Sequence, residues 1–147
     1  MSEKIEYTIN EQSSAVQAHL SIEQNVIQRM AGNSASCKAW CVTLISAILV
    51  VVADKNKPTL AYLAVMPTLV FFILDAYYLG LEKRFRNSYR EFLRKLHEKR
   101  ITPDDLFEIK PIGSQIKSLL ESMVSFSILP FYGGLIFTIL MIKWVVI

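Results

Sequence analysis

The sequence predicts an all-α membrane protein: three transmembrane helices, an N-terminal amphipathic helix and a cytosolic extension of the second span. Three observations carry the prediction. The chain of 147 residues is 52% hydrophobic, with a mean hydropathy of +0.34. Its apolar residues come in blocks, and 39–53, 58–74 and 122–142 contain no Asp, Glu, Lys or Arg. The second block then passes through Asp75-Ala76-Tyr77-Tyr78 into a basic amphipathic stretch, Leu81 to Arg100, with no proline on the way. A span needs about 20 mainly apolar residues, with a range of about 17–25. The third block reaches this length by itself. The second does so once Asp75 to Gly80 are counted, and the first needs Cys37 or Lys38 at its border.

Residues 1–33 read as a cytosolic amphipathic helix. The polar start has no apolar core, so a cleaved secretory signal is not expected and span 1 serves as an uncleaved anchor. Thr8-Ile9-Asn10-Glu11 has the capping-box pattern. Val16, Leu20, Ile27 and Met30 follow at helical spacing, joined by Ala15, Ile22 and Val26, with Glu23 interrupting the stripe. Ala31-Gly32-Asn33-Ser34 is expected to end or bend this helix. Residues 34–80 form a transmembrane hairpin of spans 1 and 2 around Asp54-Lys55-Asn56-Lys57. Pro67, mid-span 2, predicts a kink and a hinge.

Residues 81–121 read as a cytosolic basic helical hairpin. The first helix continues from span 2 to Arg100. Thr102 caps a second, short helix, with Pro103 at its first position and Asp104 and Asp105 at the positive end of its dipole. Pro111 and Gly113 end it, and Ser114 caps a helix that leads into span 3, residues 122–147. Pro130 and Gly133-Gly134 interrupt that span, Pro130 as a second hinge. Ser127, Gly134 and Thr138 fall roughly on one face, as a packing or pore-facing line.

Charge gives the topology. Residues 82–100 hold eight basic residues against three acidic ones, in a chain of net charge +3. Such an excess beside a span marks the cytoplasmic side. The N-terminus is then cytoplasmic, and Lys143-Trp144 lies at the outer interface, with Lys55 and Lys57 running against this orientation. From the hairpin midpoint, Lys38 and Asp75 are each about 17–20 residues away, roughly 26–30 Å or one hydrocarbon thickness. They should sit at equal depth near the inner boundary as an ion pair. A carboxylate at membrane depth is also a functional candidate, and the sharper reading makes Asp75 part of a polar ring or gate.

The chain has no nucleophile elbow, P-loop, paired catalytic carboxylates or metal-ligand cluster, so neither an enzyme nor a cofactor is expected. Cys37 and Cys41 lack His or acidic partners at ligand spacing and read as small apolar fillers. Arg90 and His97 have six residues between them, similar to the R-x4-6-H of HEPN ribonucleases. This gives a membrane-tethered HEPN-like RNase as the least favoured alternative. His19 and His97 otherwise read as plain surface or packing residues. The soluble parts are too small for a core of their own. Three spans enclose no pore within one chain, so a channel requires a homo-oligomer, most simply a cyclic one.

On the basic helix, Leu81, Phe85, Tyr89, Phe92 and Leu96 make an apolar stripe among Lys83, Arg84, Arg86, Arg90, Arg94 and Lys95. One reading is packing with topogenic or lipid-binding charge. The other is an anion site for a nucleotide or a short single-stranded nucleic acid, which combines phosphate-tracking cations with aromatic surfaces. Those six basic residues are the candidate ligand contacts.

Leu74-Asp75-Ala76-Tyr77-Tyr78-Leu79, with Glu82, Arg84, Phe85, Arg86 and Tyr89, resembles small bacterial membrane proteins encoded beside nucleotide-signalling enzymes in anti-phage operons. The overall plan is similar to the HalA channel effectors of the Hailong system. That resemblance implies a homotetrameric ion channel of the bacterial inner membrane, N-terminus cytoplasmic and C-terminus periplasmic. Its cytosolic part would bind short deoxyadenylate oligomers, single-stranded DNA made by a partner nucleotidyltransferase. Bound oligomer would hold the channel closed, and opening would depolarise the cell. The alternative from another class is a membrane scaffold that recruits a soluble partner through the Val16–Met30 helix.

Overall fold

A repeat of seven builds the first helix. Val16, Glu23, Met30 and Cys37 are buried, as are Ile27, Ser34 and Cys41, and Ile45 and Val52 continue the line. This is the 3.5-residue seam of a coiled coil, and it runs unbroken along α1 (Ser14–Lys55, 42 residues). The computed structural model describes residues 9–55 and 57–145, and it is helical throughout with no strand among them. The helix does not stop at residues 31–34 as expected. Gly32 is exposed, facing away from the seam. Its propensity cost of about 1 kcal/mol is outweighed by the packing of Met30, Ser34 and Cys37 on either side. Thr8 lies outside the described residues, and the observed start is later. There Asn10 Oδ1 accepts from the Gln12 amide at 3.0 Å, and the Ser13 amide bonds the Asn10 carbonyl at 3.1 Å.

A 3-10 segment, Pro58–Ala64, turns the chain into α2 (Val65–His97, 33 residues), which packs along α1. Pro67 does not sit mid-helix. It is in the first turn of α2, where a missing N–H leaves few helical bonds unmade, and the irregular backbone is the 3-10 segment before it. Thr68 donates its hydroxyl to the Ala64 carbonyl at 2.7 Å. From there α2 continues without a break past Asp75 into the basic stretch. It ends at His97 rather than Arg100. Lys99 takes a left-handed conformation (φ 55°), its amide bonding the Leu96 carbonyl while the Arg100 amide bonds that of Lys95 at 2.9 Å. This is a Schellman stop made without glycine.

Residues 98–114 cross back to α2. Asp105 accepts from the Thr102 amide and hydroxyl at 2.9 and 2.8 Å, closing the single turn Pro103–Asp105. The Ile112 amide donates to the Arg84 carbonyl at 3.2 Å. Then α3 (Gln115–Met123), capped by Ser114, descends antiparallel to α2. The expected third span is not one helix. The chain turns at 124–128 and restarts as α4 (Leu129–Val145, 17 residues). Pro130 therefore occupies the second position of a helix, where proline is favoured, instead of breaking one. Ser127 falls in the turn and so leaves the face shared by Gly134 and Thr138.

Among the described residues, two helical stretches are long and apolar enough to cross a membrane, Ser14–Lys55 and Thr59–His97; α4 is a shorter apolar helix. Their outer surfaces expose Trp40, Val50, Leu63, Met66, Val70, Ile73 and Phe137. Inside, Cys41, Ile45, Val52, Ala61, Ala64, Ala76, Ile128, Tyr132 and Ile139 form one core, which seats α4 on α2 and on the 3-10 segment. The α2–α3 contact is tight at Gly80, where a Cβ would lie 3.2 Å from the Ser118 carbonyl oxygen. Gly80→Ala should therefore cost about 1–3 kcal/mol by overpacking against backbone, read as a lower melting temperature in detergent. Gly32→Ala, which meets nothing within 4 Å, should be neutral or stabilising.

Candidate functional site

Three groupings of polar side chains lie along the α1–α2 pair. The first lies between the apolar halves of α1 and α2. Asp75 is fully buried, and Lys38 Nζ lies 2.6 Å from its Oδ2. The Ser34 hydroxyl donates to the other carboxylate oxygen, and Lys38 Nζ reaches Ser34 Oγ at 3.4 Å. Each partner sits on α1, one turn apart, so the seam itself aims both at α2. Tyr132 of α4 joins from the third side, donating to the Phe71 carbonyl at 3.2 Å and meeting Phe72 edge to face. The sequence-predicted pore line is not brought together with this carboxylate. Asp75 is enclosed within the chain, whereas Ser127, Gly134 and Thr138 are exposed, and Thr138 bonds the Gly134 carbonyl.

The second grouping was not singled out from the sequence. His19 and Glu23, one turn apart on α1, are buried against α2. The His19 ring stacks on Phe92 at 4.0 Å, and its Nδ1 accepts the Phe107 amide at 2.9 Å. Phe107 adopts a left-handed backbone (φ 66°), uncommon for a side chain of this size. His19 Nε2 then carries the proton and faces Glu23 Oε2 at 3.7 Å. Neither Glu23 oxygen has a well-formed hydrogen bond. Burial pushes the Glu23 carboxyl above its usual range, with the Ser88 hydroxyl opposing in part, and burial lowers the His19 imidazole against the pull of Asp105. The signal available in the sequence was Glu23 itself, a carboxylate on an otherwise apolar stripe.

The third grouping is the basic face of α2, and much of it is already engaged. Arg86 pairs with Glu82 at 2.7 Å, and Arg94 with Glu91 at 2.5 Å and Glu98 at 3.3 Å. Lys95 reaches Asp105 at 2.7 Å and, with the Thr102 contacts, holds that carboxyl down at about 2. Arg84 points inward to the Pro111 carbonyl at 3.4 Å. Among the described residues, Lys83 and Arg90 make no ion pair. An open cavity of about 710 Å³ lies at this end, lined by His97, Lys99 and the chain at 9–12, but by none of the six nominated cations. The Leu81–Leu96 stripe is divided: Phe92 and Leu96 are buried against Val16, and Tyr89 stays partly open. Val16, Ile27 and Met30 are likewise buried within the chain, whereas Ile22 of the same helix is exposed. Arg90 and His97 are both exposed, and His97 faces Glu11 at 3.5 Å.

Comparison with known proteins returns no match, whether to a family model, a curated protein or a solved structure.

Two consequences are measurable. Asp75→Ala leaves Lys38 without its partner and should cost about 3–5 kcal/mol, while Lys38→Met combined with Asp75→Leu should cost clearly less. Thermal unfolding of the three variants in detergent checks the difference. For Glu23 the folded carboxyl binds its proton more tightly than the unfolded one. That stability is fully present below the usual value of 4.5 and is lost as pH rises through the raised one. Glu23→Gln should therefore stabilise by about 1–3 kcal/mol at pH 8 and give no gain at pH 4.5. His19 has the opposite slope, its contribution fading as pH falls below the usual 6.5, so this limb should persist in the variant.

Proposed function

We propose that the chain is a subunit of an oligomeric bacterial inner-membrane effector, an ion channel gated by a nucleotide or short oligonucleotide at its basic cytosolic head. The observation that carries this reading is the continuity of α2 from Val65 to His97. One helix joins an apolar segment to a cationic one, so a ligand that displaces the head acts on the membrane half without an intervening joint. In this reading α4 is the third span, the N-terminus is cytoplasmic and the C-terminus periplasmic. The pore lies between copies, because each protomer's seam is filled by its own side chains.

The ligand contacts narrow to Lys83 and Arg90, with Arg86 and Arg94 exchanging carboxylate for phosphate when an anion arrives. Asp75 acts as the buried clamp between the two spans and not as a pore ring. The resemblance to Hailong effectors supplies the candidate ligand, a short deoxyadenylate oligomer, and the setting, depolarisation in anti-phage defence.

Protein reconstituted in liposomes is expected to carry an ion flux that short deoxyadenylate oligomers alter. Lys83→Glu with Arg90→Glu should raise the oligomer concentration needed by tenfold or more, each lost charge-assisted bond being worth about 1.5–3 kcal/mol. Absence of flux both with and without oligomer would refute the channel.

A further inference from the structure

Residues 106–110 form a strap that is pinned to α2 at both ends. At one end Lys95 holds Asp105 at 2.7 Å. At the other, the Ile112 amide donates to the Arg84 carbonyl at 3.2 Å, and Arg84 Nη2 donates to the Pro111 carbonyl at 3.4 Å. Between the pins, Phe107, Glu108 and Lys110 are exposed, and Leu106 is half-buried against the Phe92–Leu96 cluster. Among the described residues, one hydrogen bond ties the strap to α1: the Phe107 amide donates to His19 Nδ1 at 2.9 Å. The backbone that delivers this amide is left-handed (φ 66°), and its side chain is 58% exposed. The strained conformation is therefore held by the bond and not by packing of the ring.

That bond exists in only one protonation state of the imidazole. Nδ1 accepts only while it lacks a proton, and an imidazolium is a donor at both nitrogens. His19 is buried, with its ring stacked on Phe92 of α2 at 4.0 Å, so a protonated Nδ1 would meet the Phe107 N–H donor to donor inside an enclosed contact. The charged groups around the ring do not replace the lost acceptor. On α1, Glu23 Oε2 lies 3.7 Å away on the Nε2 side, and on α2 the Ser88 hydroxyl is turned to that carboxyl. On the crossover, Asp105 attracts a proton to the ring but is itself paired with Lys95. Glu108 pairs with Lys110, and Glu91 of α2 with Arg94. Whichever of His19 and Glu23 takes the first proton, the second leaves His19 protonated at both nitrogens.

We infer that His19 is an acid-sensitive latch on the crossover: protonation at Nδ1 releases the Phe107 amide, and residues 106–110 lift from α1 while both pins on α2 hold. The strap lines one side of an open cleft of about 250 Å³, and Ser88, Phe92 and Lys95 of α2 line the other, so the movement changes access to that side of the basic helix. Burial holds the imidazole below its usual 6.5. The latched state thus binds the proton less tightly than the released one. It is fully favoured above 6.5 and is lost as pH falls below that value, by up to about tenfold per pH unit, the limit for one proton. The latch holds whether or not the chain forms a channel.

The test uses the full chain in lipid nanodiscs, with Cys37→Ala and Cys41→Ala as background. Spin labels go on Ser21→Cys of α1 and Glu108→Cys of the strap, both exposed positions. With His19 intact, the labels should report one distance at pH 8, and a second, longer one should appear reversibly at pH 5 with helicity unchanged. His19→Asn offers Oδ1 in place of Nδ1 and cannot be protonated, so it should keep the single distance at both pH values. His19→Phe keeps the ring and removes the acceptor, and should show the longer distance already at pH 8. Glu23→Gln should retain the acid response. A distance unchanged from pH 8 to pH 5 with His19 intact overturns the latch, as does a His19→Phe strap that stays in place at pH 8. If the acid response survives in His19→Asn or disappears in Glu23→Gln, another group titrates and the latch falls. A shift accompanied by loss of helicity is acid unfolding and overturns it too.

Discussion

Everything in this fold depends on α1 keeping one line of side chains against α2 over almost its full length. A coiled-coil seam is a geometric constraint before it is an energetic one. Residues that miss the 3.5 period turn away from the partner, and residues that hit it are enclosed whether or not they are apolar. This is why Glu23, His19, Ser34 and Asp75 are buried. Their positions follow from the period, and their chemistry then has to be accommodated. The same constraint carries the helix across Gly32, because Met30 and Ser34 hold the seam on either side of it.

The polar members of the seam restrict how the two helices can slide. An apolar seam tolerates a shift by one turn at modest cost. A shift here would separate Lys38 from Asp75 and would place the Ser34 hydroxyl opposite an apolar neighbour. Leaving a buried carboxylate unpaired is worth about 3–5 kcal/mol, comparable to a sizeable part of a small domain's stability. The His19–Phe107 contact does related work at the basic end, tying the 98–114 crossover to α1 through a single amide. One pair sets the register of α1 on α2, and the other sets the position of the crossover.

The features legible in the sequence were those with a local cause. Charge-free blocks marked the two long apolar helices, Thr102-Pro103 marked the turn, Ser114 marked a cap, and hairpin counting put Lys38 beside Asp75. What escaped had a tertiary cause. Gly32 looked like a stop because the seam that overrides it belongs to two helices. Lys99 gave no hint of ending α2, since a left-handed lysine carries no compositional signal. Pro67 and Pro130 were read as helix breakers in place, whereas the chain starts its helices around them. The basic cluster was read as a net excess of charge offering six candidate ligand contacts, and Glu82, Glu91, Glu98 and Asp105 engage three of those six, Arg86, Arg94 and Lys95. Glu82, Glu91 and Glu98 were visible at helical spacing, but Asp105 reaches Lys95 only because the crossover folds back.

The unbroken course of α2 from its apolar half into its basic half has one more consequence. A helix without a joint transmits rotation as well as displacement. Each residue turns the axis by about 100°, so the azimuth of Lys83 and Arg90 is locked to that of Thr68 and Met66 in the apolar half. Adding one residue between Ala76 and Leu81 would swing the cationic head by more than a quarter turn about its own span, while leaving every local contact type available. The spacing between Asp75 and the basic residues therefore encodes a direction: it fixes which side of the helix pair Lys83 and Arg90 face.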